Sequence, residues 1–399
     1  MRVSTMQVFE AGARNMMNSA AMLHRTQNQL STGRRILTPA DDPVAASQIL
    51  LDMQAKSINF QHLDNQRNAH LQLALAENRL NSVVSSIQFI QEQLVAASNS
   101  IYSDDQRQFF ANALQAELDF LISIANTTNA SGNYLFSGFM GDTQPFQMIN
   151  GEILYHGDRG QRLFQVGPTQ QIAISDSGYD IFMRNRTGNG VFETDIGSNL
   201  GTGTISSGSV LNRQAWIGHA YTIEFTSATV FVIRDNVTGA ISPPQTYTSG
   251  EAITPISGIS FAISGEPQAG DTFTITPSTH QSVFETVQNL VDVLSRGINS
   301  GTQTITEFQN GIRKGAENLN LILDNVAGVI ASIGSRQNQL ASLTDVSMDL
   351  DLNFEQKISR LRDIDLAETI SLFMTQELQL QAAQNSFARI ASLSLLNFI

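Results

Sequence analysis

Apolar and small residues recur at alternating steps of three and four over most of this chain, and the recurrence breaks only in its middle. From Phe308 the positions are Ile312, Gly315, Leu319, Ile322, Val326, Val329, Ile333, Leu340, Leu343, Leu350, Phe354, Leu361 and Ile364. Polar Arg336, Ser347 and Lys357 occupy the few remaining steps. This is a heptad seam, and it predicts one long helix. Such a helix would extend roughly 85 Å at about 1.5 Å per residue, the length of a rod rather than of a globular element. No Gly or Pro follows Gly334, so helical structure is expected to the last residue.

The N-terminal seam is weaker. Met6, Phe9, Ala13, Met16, Ala20, Leu23, Gln27 and Leu30 lie on one stripe, with Asn, Gln, Ser and Ala between them. A helix burying so little gains too little to offset its own ordering. It should stop at Ser31-Thr32-Gly33. Asp41-Asp42-Pro43 then supplies a carboxylate cap and a proline in the first helical turn for a second helix. That helix carries Leu73, Ala76, Leu80, Val83, Ile87, Ile90, Leu94, Ala97 and Ile101. Ser103-Asp104-Asp105 recaps a third, with Phe110, Leu114, Leu118, Leu121 and Ala125 on its stripe. The expected result is a bundle of three or four long antiparallel helices, with the two ends of the chain side by side.

The middle alternates with a period of two. Met148–Tyr155 is a hairpin about Asn150-Gly151, and Leu163–Val166 and Gln171–Ile174 flank a Gly-Pro turn. A loose Gly/Ser/Thr stretch, 187–208, precedes four half-buried antiparallel strands at Tyr221–Thr226, Thr229–Arg234, Ile259–Ser264 and Thr272–Thr276. The segment from Gly132 to His280 holds 20 of the 28 Gly and seven of the nine Pro. The fold class is therefore α+β: a long antiparallel helical bundle or coiled-coil rod built from both chain ends, with an inserted antiparallel β domain. The expected divisions are terminal helices at 1–40 and 366–399, a helical bundle with β-hairpins at 41–186 and 278–365, and a β domain at 187–277.

Composition narrows the function. Net charge is −13, which argues against a binder of phosphate backbones. Only 15% of residues are charged, and a surface so poor in charge is cheap to desolvate, which favours self-association. The absence of Cys excludes disulfides and thiolate chemistry. The N-terminal residues lack the basic-then-apolar order of a secretory signal, and no run of 18 apolar residues is present, so export by another route or a cytosolic location is expected.

Candidate chemistry is sparse. The six His show no metal-ligand spacing and are read as surface or helix-flank residues. Asp41-Asp42 reads as a cap and a dipole partner rather than a catalytic pair. Asp363, Asp365 and Glu368 are expected around a solvated helix face rather than in a cation loop. No catalytic, cofactor-binding or metal residue is assigned. The end segments carry the more specific expectation. Leu380, Ala383, Phe387 and Ile390 continue a seam, while Leu378, Leu393, Leu395, Leu396, Phe398 and Ile399 add apolar groups on other faces. Covering all of them takes more than one partner helix, and neighbouring copies would supply the second. The assembly residues so assigned are Met6, Phe9, Ala13, Met16, Ala20, Leu23, Leu30, Leu380, Ala383, Phe387, Ile390, Leu395 and Leu396.

Leu30-Ser31-Thr32-Gly33-Arg34-Arg35-Ile36, followed by Ala40-Asp41-Asp42-Pro43-Val44-Ala45-Ala46-Ser47, resembles the N-terminal signature of the flagellin superfamily. The Asp-Asp-Pro form, Asn133-Tyr134-Leu135-Phe136-Ser137-Gly138-Phe139 and Gly270-Asp271-Thr272-Phe273-Thr274-Ile275 are similar to its hook-associated members. The run from Asp363-Ile364-Asp365-Leu366-Ala367-Glu368 to Ser394-Leu395-Leu396-Asn397-Phe398-Ile399 fits the superfamily's terminal helix. The resemblance covers 1–146 and 273–399. It implies paired terminal helices forming an inner tube, disordered in the monomer and folding on assembly. It also implies type III export to the extracellular flagellum, at the hook–filament junction. The implied partners are further copies in a ring, hook-associated protein 1, flagellin, and an export chaperone at the C-terminal helix. Flagellin itself is the near alternative and a carbohydrate-active β domain the remote one.

Overall fold

A computed structural model describes residues 5–99, 102–197, 199–299 and 304–396; side chains of Thr5, Val8 and 390–396 are not described. The chain divides into two compact units, 1–64 with 342–399, and 65–341. Helices α2 (Pro43–Ala97) and α5 (Ile305–Arg362) run through both.

The first unit contains α1 (Thr5–Thr32), the start of α2, the end of α5, and α6 (Leu366–Leu396). Gly33 at φ +70° ends α1, since a left-handed residue past the last turn suits glycine. Asp42 caps α2 through the Ala45 amide at 3.0 Å, and Pro43 starts it. Only Asp42 is the cap; Asp41 has a different task described below.

In this unit α2 and α5 meet along a seam rich in polar groups. Asn59 is buried and donates to the Ser347 carbonyl at 2.7 Å, and Lys56 reaches Glu355. Buried or half-buried positions on α5 run Leu340, Leu343, Ser347, Asp351, Phe354, Ile358 and Leu361. Two steps of four fall in succession, from Leu343 through Ser347 to Asp351. This local unwinding turns the stripe by one residue. Leu350, assigned to the seam from its spacing, is therefore 44% exposed. On α1 the inward positions alternate regularly through Gly12, Met16, Ser19, Leu23, Thr26 and Leu30, one residue out of phase with the expected stripe at two steps. Ser19 and Thr26 turn inward, while Ala20 and Gln27 face solvent.

The second unit has an apolar core. Leu73, Leu80, Val83, Ile87, Ile90 and Leu94 of α2 are buried with Leu319, Ile322, Val326 and Ile333 of α5. Helix α3 (Asp104–Ala125) starts with a capping box between Ser103 and Gln106 and buries Leu114, Leu118 and Leu121. Ile101, expected on the α2 stripe, lies outside the described residues. A fourth short helix, α4 (Val283–Ser295), was not anticipated. It is capped by Ser282 and packs on α3, burying Val283, Phe284, Val287, Leu290 and Leu294.

Two small hairpins join this core. Strands β1 (Phe146–Ile149) and β2 (Glu152–Tyr155) turn at Asn150 and Gly151, with φ of 54° and 86°. Both positive values are what a tight two-residue turn requires. Strands β3 (Leu163–Gln165) and β4 (Gln171–Ala173) form the second hairpin. The pair β5 (Asn185–Arg186) and β15 (His280–Gln281) closes the neck of the β domain.

Between them lie β6 (Phe192–Ile196), β7 (Thr204–Ile205), β8 (Ser209–Val210), β9 (Tyr221–Ser227), β10 (Val230–Asp235), β11 (Gln245–Thr246), β12 (Ala252–Ile253), β13 (Ile259–Ser264) and β14 (Thr272–Pro277). One antiparallel sheet has the order β11-β10-β9-β14-β6, and a second the order β12-β13-β7, with β8 also on β13. Phe192, Ile223, Phe225, Phe231, Phe261, Phe273 and Ile275 fill the space between the sheets. The stretch 187–208, expected to be loose, contains β6, which pairs along β14 from Ile196↔Phe273 to Phe192↔Pro277.

Candidate assembly surface

The Leu30–Val44 motif folds into a turn fastened to the break between α5 and α6. Asp41 accepts the amides of Thr38 at 2.8 Å and Leu37 at 2.9 Å, and its other oxygen meets Arg25 at 2.7 Å. Those amides, Thr38 foremost, then Leu37, hold its carboxyl below the ordinary 3.8, and Arg25 adds to the effect. Asp42 is lowered mainly by the Ala45 amide and further by Arg35.

Arg35 connects the two turns. Its amide donates to the Arg362 carbonyl at 2.7 Å and its guanidinium to the Leu361 carbonyl at 2.8 Å. Gln29 in turn donates to the Arg35 carbonyl at 2.6 Å, and Ile364 to that of Gly33 at 3.2 Å. On the other side of the break, Asp365 caps α6 through the amides of Ala367 and Glu368. Asp363, bonded to Arg362 at 2.8 Å, also lies in the break. Neither carboxylate belongs to the solvated helix face assigned to it. Arg25, Gln29 and Arg35 were not anticipated. Their signal is the basic pair Arg34-Arg35 preceding two adjacent carboxylates.

Beyond the turn, α1 and α6 pack against each other. The rings of Phe9 and Phe387 are 4.6 Å apart. Gly12 makes room for them: a Cβ there would stand 2.9 Å from the Phe387 ring. Ala13, Met16, Leu23 and Leu30 of α1 and Leu380, Ala383 and Phe387 of α6 are half-buried. Met6 is mostly exposed, Phe9 nearly half exposed, and Ala20 faces solvent. The side chains of Ile390, Leu395 and Leu396 lie outside the described residues.

The pair leaves a large apolar surface open. Met17, Met22, Leu366, Leu372, Met374 and Leu378 are exposed on α1 and α6. Nearer the seam, so are Val44, Leu50, Leu51, Phe60, Val346 and Leu352. Scattered exposed leucines are ordinary in soluble proteins, but a concentration of this kind marks an interaction surface.

Within the second unit, polar bonds fix the β domain to α5. Lys314 meets Asp195 at 2.8 Å and also Glu193, both on β6. Burial lowers its pKa, but the two carboxylates outweigh burial and leave it raised. Arg313 donates to the Thr194 carbonyl at 3.1 Å and to Glu317 at 2.7 Å. Further along α5, Asn318 accepts the Gly188 amide, and Asn325 donates to the Asn185 side chain at 2.8 Å. His219, read as a lone surface histidine, instead pairs with Asp235 at 2.8 Å.

Both helical flanks match known sequences. The bacterial flagellin N-terminal helical region matches residues 3–140, and the bacterial flagellin C-terminal helical region matches 317–399. With the β region between them, these define a flagellin-class chain. Flagellar hook-associated protein 3 of Escherichia coli K12 is 28% identical over 395 residues, 99% of this chain and 98% of that protein. Crystal structures named FlgL from Xanthomonas campestris and hook associated protein-3 from Legionella pneumophila are 30% and 29% identical. Their TM-scores are 0.68 and 0.74, and they cover 77% and 78% of this chain and 100% and 98% of their own. The chain belongs to the family of flagellar hook-associated protein 3.

Proposed function

We propose that this protein is a structural subunit of the bacterial flagellum that joins the hook to the filament. Copies sit side by side in a ring, with hook-associated protein 1 on one side and flagellin on the other. The observation that carries the reading is the pairing of α1 with α6, which leaves Met17, Met22, Leu372, Met374 and Leu378 uncovered. Sister helices cover them, and the cost of ordering the chain ends is met at that moment. In this reading the terminal helices, 1–40 and 366–399, form the inner tube. Before assembly they are loosely held, which suits export as a threadable chain with a chaperone on α6. The role is mechanical, and no catalytic residue is assigned.

Labelling the protein on isolated flagella tests the reading. One short zone at the base of the filament is expected, and label along the whole filament would contradict it. Purified monomer seeded onto hooks should stop after a short cap, whereas a filament subunit would grow on. Amide exchange on the dilute monomer should be fast in α1 and α6; full protection there would remove the basis of the assembly account.

A further inference from the structure

The β domain carries an exposed leucine at one end and an apolar socket at the other. Leu200 is 83% exposed, on a loop whose backbone is fastened from beneath. Its amide donates at 2.7 Å to Asp271, a carboxylate that is itself 1% exposed. The second oxygen of Asp271 accepts the amides of Gly201 at 3.0 Å and Gln268 at 2.9 Å. Asn199, next to Leu200, accepts the Thr272 amide at 2.8 Å. The loop therefore holds the Leu200 backbone at a fixed place, so that covering the side chain costs only its own rotamer freedom.

The socket has a volume of about 350 Å³ and is lined by Tyr221, Ile233, Asp235, Ile241, Pro255 and Ile256. Ile217 and Ile241 at its rim are 64% and 54% exposed. Leu200 and the socket lie at opposite ends of β9. Asp271, which holds Leu200, accepts the Phe225 amide with its carbonyl at 2.9 Å, whereas the socket begins at Tyr221. Phe225 and Tyr221 are four residues apart on β9, which separates the two sites by about 13 Å along the strand at ~3.3 Å per residue.

We propose that Leu200 of one copy seats in the Ile233–Ile241–Ile256 socket of the next copy, making the β domains a head-to-tail belt. The proposal rests on the reading that copies stand side by side in a ring. A ring needs a heterologous contact, with two different patches at separated places on one subunit. The β domain has such patches: a protruding aliphatic group and an aliphatic recess. A flagellin or hook-associated partner would have to supply a matching knob of its own, whereas a sister copy brings one already.

The chain contains no Cys, so paired cysteines can test the contact cleanly. Flagella carrying the double variant L200C/I241C are oxidised and run without reductant, after labelling confirms that the protein occupies the junction. Bands at successive multiples of the 43.5-kDa chain, continuing past the dimer, are expected. Co-assembled L200C and I241C single variants should give dimers, and either one alone should give none. A double variant that reaches the junction and stays monomeric would overturn the proposal and leave the junction reading intact. Dimers only would mean a two-fold contact and overturn it too, as would a cross-link to a chain of another mass. Protein absent from the junction in the unsubstituted control would instead count against the junction reading itself.

Discussion

Phe9 and Phe387 place their rings 4.6 Å apart, joining the first helix of the chain to the last. Each is only half-buried, so the contact holds the pair in register without closing a core. F387A should cost about 1–2 kcal/mol of α1–α6 pairing, from the lost ring contact and partial burial. Faster amide exchange in α1 of the assembled protein than in assembled parent, with the thermal transition of the β domain unchanged, would show it. Reduced motility at normal protein levels is expected alongside.

Two glycine positions in α5 should respond in opposite senses. A Cβ at Gly315 would come within 2.2 Å of Leu290 on α4, whereas at Gly328 nothing lies within 4 Å. G315V should destabilise the second unit by about 1–3 kcal/mol through overpacking. G328A should stabilise it by about 0.5–1 kcal/mol, because alanine orders a helix more cheaply. Urea denaturation of the two variants beside the parent protein measures both.

Lys314 neutralises two carboxylates of β6, so K314A leaves Glu193 and Asp195 facing each other. With about a third of the lysine side chain in water, the expected cost is about 1–2 kcal/mol rather than that of a fully buried pair. Its folded pKa is raised, so its contribution is complete below the ordinary 10.5 and is lost as pH rises through the folded value. The parent should lose thermal stability in strong alkali more steeply than K314A does.

The turn at Asp41 and Asp42 should open in acid. Both carboxyls are lowered from 3.8 in the folded chain. Their contribution is thus present above that value and is lost as pH falls through the folded values. Exchange at the Leu37 and Thr38 amides, corrected for its intrinsic pH dependence, should be steady from neutrality to about pH 5 and accelerate below about pH 4. A D41N variant should flatten that dependence.

Local signals were readable in the residues, and distant pairings were not. Asn150-Gly151 announces its hairpin because two adjacent residues decide the turn, and Ser103 and Pro43 likewise mark helix starts by their own chemistry. The stripe from Leu73 to Ala97 is strictly periodic and entirely buried. Leu350 was misplaced because one doubled step of four rotates the seam, and a fixed heptad cannot anticipate that. Strand β6 was hidden by Gly188, Gly190, Gly197 and Gly201 around it, although Phe192, Thr194 and Ile196 alternate correctly. Helix α4 is short and has no long run of heptads to reveal it. At the candidate surface, Phe387 and Asp42 stood out from spacing and type. Arg35 and its carbonyl partners did not, because nothing near them in the chain names the other side.

The bond from Arg35 to Leu361 spans 326 positions of sequence. The N-terminal arm of a newly made polypeptide, which appears first, therefore has no finished counterpart to close upon. Closure of such a distant loop is entropically slow, and the first arm must wait at least until the residues around Leu361 have been made. The fastening between the two turns thus amounts to a built-in delay: it cannot form, and the N-terminal arm cannot be locked, until the break between α5 and α6 has been made.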